Sequence, residues 1–284
     1  MKLELNHVMK NYGDFKLDCT MEVQKGQVTG LIGRNGAGKS TTFKAVLGLI
    51  HIDGGTIFVD GKDIKEWTVK DKEKIGAVLS ESGFSGYLTV PDIIPIMQAL
   101  YSEFDKAEFL EKCDRLSIPL KKQMKEFSTG TKAKLKVLVA MSHKAELLVL
   151  DEPTAGLDVM AREEILDMLH TYMQNEQNSI LISSHISSDL ESLCDDIYLI
   201  DDGKILLHEE THVLLDEYAI LKVTGEQYHI LDKAYLLAVK EDSFGYSCLT
   251  NEKQFYMENY PELAIERGSI DGVYSVLVQG KEVR

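Results

Sequence analysis

The stretch Gly33-Arg34-Asn35-Gly36-Ala37-Gly38-Lys39-Ser40-Thr41 constrains the fold of this chain more than any other. It follows Val28 to Ile32, an apolar run that reads as a buried strand, and precedes Thr42 to Leu47, whose composition suits a helix. A strand, a glycine-rich turn and a helix result. Glycines remove the Cβ atoms that would block a tight turn, so successive amides and a helix N-terminus can surround an anion. The spacing G-x-x-x-x-G-K-S fits a nucleotide phosphate, with Lys39 on the β- and γ-phosphates and the Ser40 hydroxyl as a ligand of Mg²⁺.

With 284 residues the chain can bury a large core and hold one large domain or two smaller ones. Its formal net charge of -15 opposes broad contact with nucleic-acid phosphates, which requires clustered Lys and Arg. Cys19, Cys113, Cys194 and Cys248 are far apart and form no C-x-x-C pair, so the expectation is reduced thiols in a cytosolic protein. Met1 to Val8 alternates like a half-exposed strand and lacks the apolar region of a signal peptide. No window reaches the ~18 to 20 apolar residues of a membrane-spanning helix. Any membrane role is therefore expected to come through a partner.

Further along, Lys10 to Phe15 predicts a hairpin with Tyr12 at its end, an aromatic suited either to surface packing or to stacking on a base. Thr56 to Val59 and Ile75 to Leu79 predict strands. Thr89 is expected to cap a helix whose face carries Ile93, Ile94, Met97, Leu100 and Tyr101. Asp105 and Glu108 resemble a capping box ahead of a second stripe, Phe109, Leu110, Cys113 and Leu116. A helical insertion is thus expected over about residues 88 to 128, followed by a long helix whose N-terminus places Ser128 and Gly130 where an anion can be held.

Leu147-Leu148-Val149-Leu150-Asp151-Glu152 reads as a strand buried on both faces that ends in two carboxylates. Ligands of parallel sheets bind beyond such ends, and the pair suits one Mg²⁺ ligand and one group that polarises an attacking water. Ile180 to Ser184 similarly delivers His185, either a satisfied core histidine or a group facing the same ligand. Beyond about residue 214 there is no nucleotide-like motif. Apolar runs at 219–223, 235–239 and 273–278 predict a small mixed α/β appendage, which is expected to take no part in building the nucleotide site.

Together these residues resemble the ATP-binding subunit of an ABC transporter over residues 1 to 213. Gly33 to Thr41 resembles Walker A, Leu147 to Glu152 resembles Walker B, and the unbroken D-E-P-T-A-G-L-D from Asp151 continues into a D-loop containing Asp158. The resemblance implies an α/β P-loop NTPase core of the ABC ATPase type, 1–213, with a helical subdomain at about 88–128 and a small C-terminal α/β accessory domain, 214–284. It further implies ATP and Mg²⁺ as ligands, with Gly33, Arg34, Asn35, Gly36, Ala37, Gly38, Lys39, Ser40 and Thr41 around the phosphates and Tyr12 stacking on adenine. Asp151 joins Ser40 on the metal, while Glu152, His185 and Lys39 act in catalysis.

Residues 127–131 resemble the signature motif usually written L-S-G-G-Q, but read Phe127-Ser128-Thr129-Gly130-Thr131, keeping the serine and second glycine. The expected glutamine after the strand at 75–79 is replaced by Ser80, followed by Glu81. In the implied mechanism two subunits pair head to tail, as a homodimer or heterodimer, so that Ser128 and Gly130 of one complete the site of the other, and Asp158 of the D-loop is a further nucleotide-binding residue. Transmembrane permease subunits would hold the pair on the inner face of the cell membrane. The resemblance is greatest to ABC-2-type exporter ATPases of Gram-positive bacteria. A soluble non-transport ABC ATPase and a weakly active regulatory subunit are the alternatives.

Overall fold

The computed structural model describes residues 1–80 and 83–283. One half of a ten-stranded sheet, ending at its edge, is built from Asp196–Asp201 followed by the predicted strand runs in the order Val28–Ile32, Ser179–Ser183, Leu147–Asp151 and Ile75–Val78. Each neighbouring pair is parallel. Their alternation explains why they are apolar throughout, since both faces are covered. Leu148, Leu150, Ile180, Ile182 and Leu199 belong to a core shared with Val137, Leu138, Ile165 and Leu169. Leu147, Val149, Leu181, Leu31 and Ile200 belong to the other core, which contains Phe43, Ala45 and Val46.

Beyond Asp196–Asp201 the sheet continues through Lys204–Glu210, Lys16–Val23, Leu3–Asn11, Gly54–Val59 and Lys62–Asp63. Leu3–Asn11 and Lys16–Val23 form the predicted hairpin, closed where the Tyr12 amide donates to Phe15 O at 2.9 Å. Lys2 precedes it and is buried, yet it is satisfied by Asp60 and Glu146 at 2.8 and 2.9 Å, as a buried ammonium must be.

The helical insertion contains Val90–Leu100 and Lys106–Arg115 and leads into Thr129–Met141. Thr89 starts the first with a capping box closed by Asp92. Ile93, Ile94 and Met97 are buried as expected, but Leu100 is 58% exposed. The helix stops there: Tyr101 is extended, and its ring stacks on His143 at 3.8 Å. Asp105 caps the second helix, its carboxylate accepting from the amides of Ala107 and Glu108, but the expected capping box is not closed because the Glu108 carboxylate pairs with Lys112 at 2.6 Å. Among the described residues no helix is long and apolar enough to cross a membrane.

Residues after 218 build a five-stranded sheet, ordered Ala264–Arg267, Ala219–Val223, Gly245–Thr250, Leu236–Asp242 and Lys281–Glu282. The run predicted at 273–278 lies within the helix Ile270–Gln279. Ile270, Val273 and Val276 of that helix join the same core as Leu190, Leu193 and Leu199. The appendage is therefore packed continuously onto the larger sheet.

Candidate nucleotide site

Gly33 follows Val28–Ile32 directly, and a Cβ there would come within 2.3 Å of Ile200 O. No other residue fits between these two parallel strands. Gly36 and Gly38 have φ of 85° and 119°, values that L side chains rarely adopt, and they turn the chain into the helix Lys39–Val46. A Cβ at Gly36 would meet nothing within 4 Å, whereas one at Gly38 would press on Phe15 and Leu17. The hairpin thus supports the turn from below through Phe15, a contact without a sequence signal. Arg34, Asn35 and Gly36 form an exposed rim, while Ala37, Gly38 and Lys39 are buried.

Lys39 is 7% exposed, and its Nζ donates to Gly33 O at 2.6 Å and lies 3.7 Å from Glu152 Oε1. The Ser40 hydroxyl donates to Asp151 Oδ2 at 2.8 Å. These distances join the glycine-rich loop to both carboxylates predicted at the end of this strand, Asp151 and Glu152. Strand register explains the rest. Asp151 stands opposite Ser183, whose hydroxyl donates to Asp151 Oδ1 at 2.8 Å and accepts from the Glu152 amide at 3.1 Å.

Glu152 has φ of 54°, an uncommon conformation for a residue with a side chain. The strand has ended, and this turn directs Glu152 towards His185. The His185 amide donates to Glu152 Oε2 at 3.1 Å, and His185 Nδ1 lies 2.5 Å from the same oxygen. A carboxylate oxygen accepts, so the hydrogen is on Nδ1. Behind them Thr154 donates to Asp189 Oδ2 at 2.8 Å, and Arg162 pairs with the other Asp189 oxygen. That buried carboxylate ties the segment after Glu152 to the helix after His185.

Other predicted residues stand apart. Ser128 caps Thr129–Met141, accepting from the Thr131 amide at 3.1 Å, and Asp158 caps Val159–Tyr172, accepting from the Ala161 amide at 2.9 Å. A Cβ on Gly130 would lie 2.7 Å from Ala161 Cβ, so glycine lets these two helix starts approach. Among the described residues, none of the three bonds to the loop 33–41, to Asp151 or to Glu152. Tyr12 is 54% exposed at the hairpin tip, with Lys10 Nζ 5.5 Å from its ring centroid. Ser80 is exposed, and Glu81 lies outside the described residues.

Residues beyond 214, expected to take no part in building the nucleotide site, nevertheless touch the start of this loop. The Arg34 amide donates to the Tyr274 hydroxyl at 2.8 Å. No phosphate-binding motif is needed for such a contact, because a phenol bonds a backbone amide.

The donor set suits a nucleotide and its metal. Ser40 and Asp151 offer hard oxygen atoms of the kind Mg²⁺ prefers, beside a buried lysine and a turn open at Gly36. A bound Mg²⁺ would neutralise phosphate charge there.

Parallel strands that carry this turn, this carboxylate pair and a following histidine define a P-loop nucleotide-binding fold. The family profile described as "ABC transporter" matches residues 17–155. The chain is 30% identical to the ABC transporter ATP-binding protein YtrB of Bacillus subtilis, over 80% of its own length and 75% of that protein's. It is 35% identical to the lantibiotic transport ATP-binding protein SrtF of Streptococcus pyogenes, over 73% and 90%. A solved structure described as the ATP-binding subunit of an ABC transporter superposes with a TM-score of 0.65 at 26% identity, covering 74% of this chain and 90% of that one. The chain belongs to the ATP-binding proteins of ABC transporters.

Proposed function

We propose that this chain hydrolyses ATP as one half of a head-to-tail pair and so drives a membrane exporter, with a peptide antibiotic or a related compound as cargo. The lantibiotic transport relative supports the cargo class. The chain would sit in the cytoplasm on the inner face of the membrane, held by separate permease subunits and without a nucleic-acid partner. Domain limits of 1–213 and 214–284 accompany this reading.

The arrangement of Lys39, Glu152 and His185 carries it. Glu152 Oε2 is fixed by two nitrogen contacts from His185, and Oε1 faces Lys39. In hydrolysis the water oxygen bonds to the γ-phosphorus as the bond from that phosphorus to the bridging oxygen breaks. ADP leaves, and the water proton passes to Glu152. Lys39 binds the β- and γ-phosphates, His185 orients Glu152 and senses the γ-phosphate, and Tyr12 stacks on adenine. Ser40 and Asp151 would hold Mg²⁺. Ser128, Gly130 and Asp158 lack bonds to their own loop, which supports their completing the site of a second copy. Closure around ATP favours the paired state, and hydrolysis removes that preference.

Glu152→Gln keeps the side chain's shape and loses the proton acceptor. Turnover should fall by about 10²- to 10⁴-fold with ATP binding retained, and gel filtration should show a dimer that forms only with ATP. Unchanged hydrolysis in this variant would refute the assignment.

A further inference from the structure

The helix Ile270–Gln279 holds two segments of the nucleotide site along one face. Ser269 caps it, accepting from the Gly272 amide at 3.2 Å, and its first turn faces the helix Ser187–Leu193 that follows His185. There the Ile270 amide donates to Glu191 Oε1 at 3.1 Å, and the Ser187 hydroxyl donates to Asp271 Oδ1. Asp271 and Tyr274 are three residues apart, hence neighbours on one side of the helix.

Tyr274 reaches the start of the glycine-rich loop. Its hydroxyl oxygen accepts from the Arg34 amide at 2.8 Å and lies 3.3 Å from Asp201 Oδ1 and 3.5 Å from Ile200 O. Arg34 Nε pairs with the same Asp201 oxygen at 2.7 Å. Ile200 and Asp201 end the strand that lies beside Val28–Ile32. Burial raises the phenol's pKa above its usual value, so the hydroxyl keeps its proton at neutral pH and remains a donor. The backbone of Arg34 is thereby clamped between its own strand pair and a residue 240 positions later.

We propose that Tyr274 is a positioning residue for phosphate binding, through which the C-terminal module sets the conformation of Gly33–Asn35 and links it to the segment bearing His185. This rests on reading Gly33–Thr41 as the phosphate loop. Movement of the helix would strain or release both segments together. Anything that displaces the C-terminal module therefore changes nucleotide affinity, and nucleotide in turn stabilises the module's docked position by the same factor.

Truncating the module would also remove Ile270, Val273 and Val276 from the shared core, so the test uses point variants of the full chain. Tyr274→Phe removes one hydroxyl. Tyr260→Phe is the control: it deletes a similar bond within the module, from the Asp232 amide at 2.9 Å, away from the loop. Titration with Mg²⁺-ATP should show about fivefold weaker binding in Tyr274→Phe, the worth of one hydrogen bond, and unchanged binding in Tyr260→Phe. Turnover at saturating ATP should change by less than about twofold, placing the effect in KM. ATP should also slow amide hydrogen exchange across residues 270–279 in the wild type and lose that effect in Tyr274→Phe. Equal affinities in Tyr274→Phe and wild type, or equal losses in both variants, would overturn the inference alone. A wild type that binds no ATP would overturn the phosphate-loop reading and this inference with it.

Discussion

Replacing Ser183 by alanine tests whether the two carboxylates are held from behind by the neighbouring strand. Ser183 is wholly buried, and its hydroxyl makes two bonds. The one accepted from the Glu152 amide has a substitute, because Ser183 O lies 3.2 Å from the same nitrogen. The bond to Asp151 Oδ1 has none: Ser40 serves the other oxygen, and the surroundings are strand and core. A hydrogen bond to a charged group contributes about 1.5–3 kcal/mol, and an unmet buried acceptor forfeits all of it. Ser183→Ala should therefore destabilise the fold by about 2 kcal/mol, roughly a 30-fold change in the folding equilibrium. Thermal unfolding should shift down by about 5 °C. Urea unfolding followed by circular dichroism measures the loss directly. Because Asp151 and Glu152 are positioned by the same hydroxyl, ATP turnover should fall about tenfold at saturating ATP. A change below about 0.5 kcal/mol, within what an ordinary surface substitution gives, would refute the argument that this hydroxyl holds Asp151.

Two further predictions concern groups outside that pair. His143 is buried against Tyr101, with Nε2 3.2 Å from Ile75 O, and burial lowers its pKa below the usual value despite the nearby carbonyls and Glu73. The unfolded chain then takes up a proton at about pH 6.5 that the folded chain refuses, so stability is full above that pH and declines as pH falls towards the folded pKa. The urea midpoint of the wild type should drop between about pH 7.5 and about pH 5.5 by more than that of His143→Gln, and parallel drops would exclude His143 as the cause. Ser80 is exposed at the place where the resemblance implies a metal-reaching glutamine. Ser80→Gln should lower the Mg²⁺ concentration needed for half-maximal hydrolysis by about threefold, and an unchanged requirement would show that this loop does not set metal affinity.

The parts of the site legible in the sequence are those where the backbone itself dictates the residue. Gly33 must be glycine because Ile200 O occupies its Cβ position, and Gly36 and Gly38 because of their positive φ. These requirements are local, so a spacing pattern preserves them. Asp151 and Glu152 were visible because a carboxylate ending a strand of five buried residues has no structural use of its own. Ser183 was part of a predicted strand, but its role depends on which residue faces it across the sheet, and register is set by tertiary packing. Leu100 shows the converse failure: helical spacing placed it on the apolar face, but no spacing rule says where the packed neighbours end.

Tyr274 marks the furthest reach of that limit. In the sequence its helix reads only as an apolar run, and nothing near residue 274 indicates a partner at residue 34. A backbone amide also donates to any suitable oxygen and leaves no complementary side chain to find. Yet the contact changes what the C-terminal residues can be. A module joined only by its linker would leave the nucleotide loop unaffected by its own unfolding or by binding to a partner. One that shares a core with the parallel strands and bonds both Arg34 and the helix after His185 cannot shift without cost to the loop. The C-terminal module thus contacts the loop at its backbone, through the Arg34 amide, and asks nothing of the loop's side chains there.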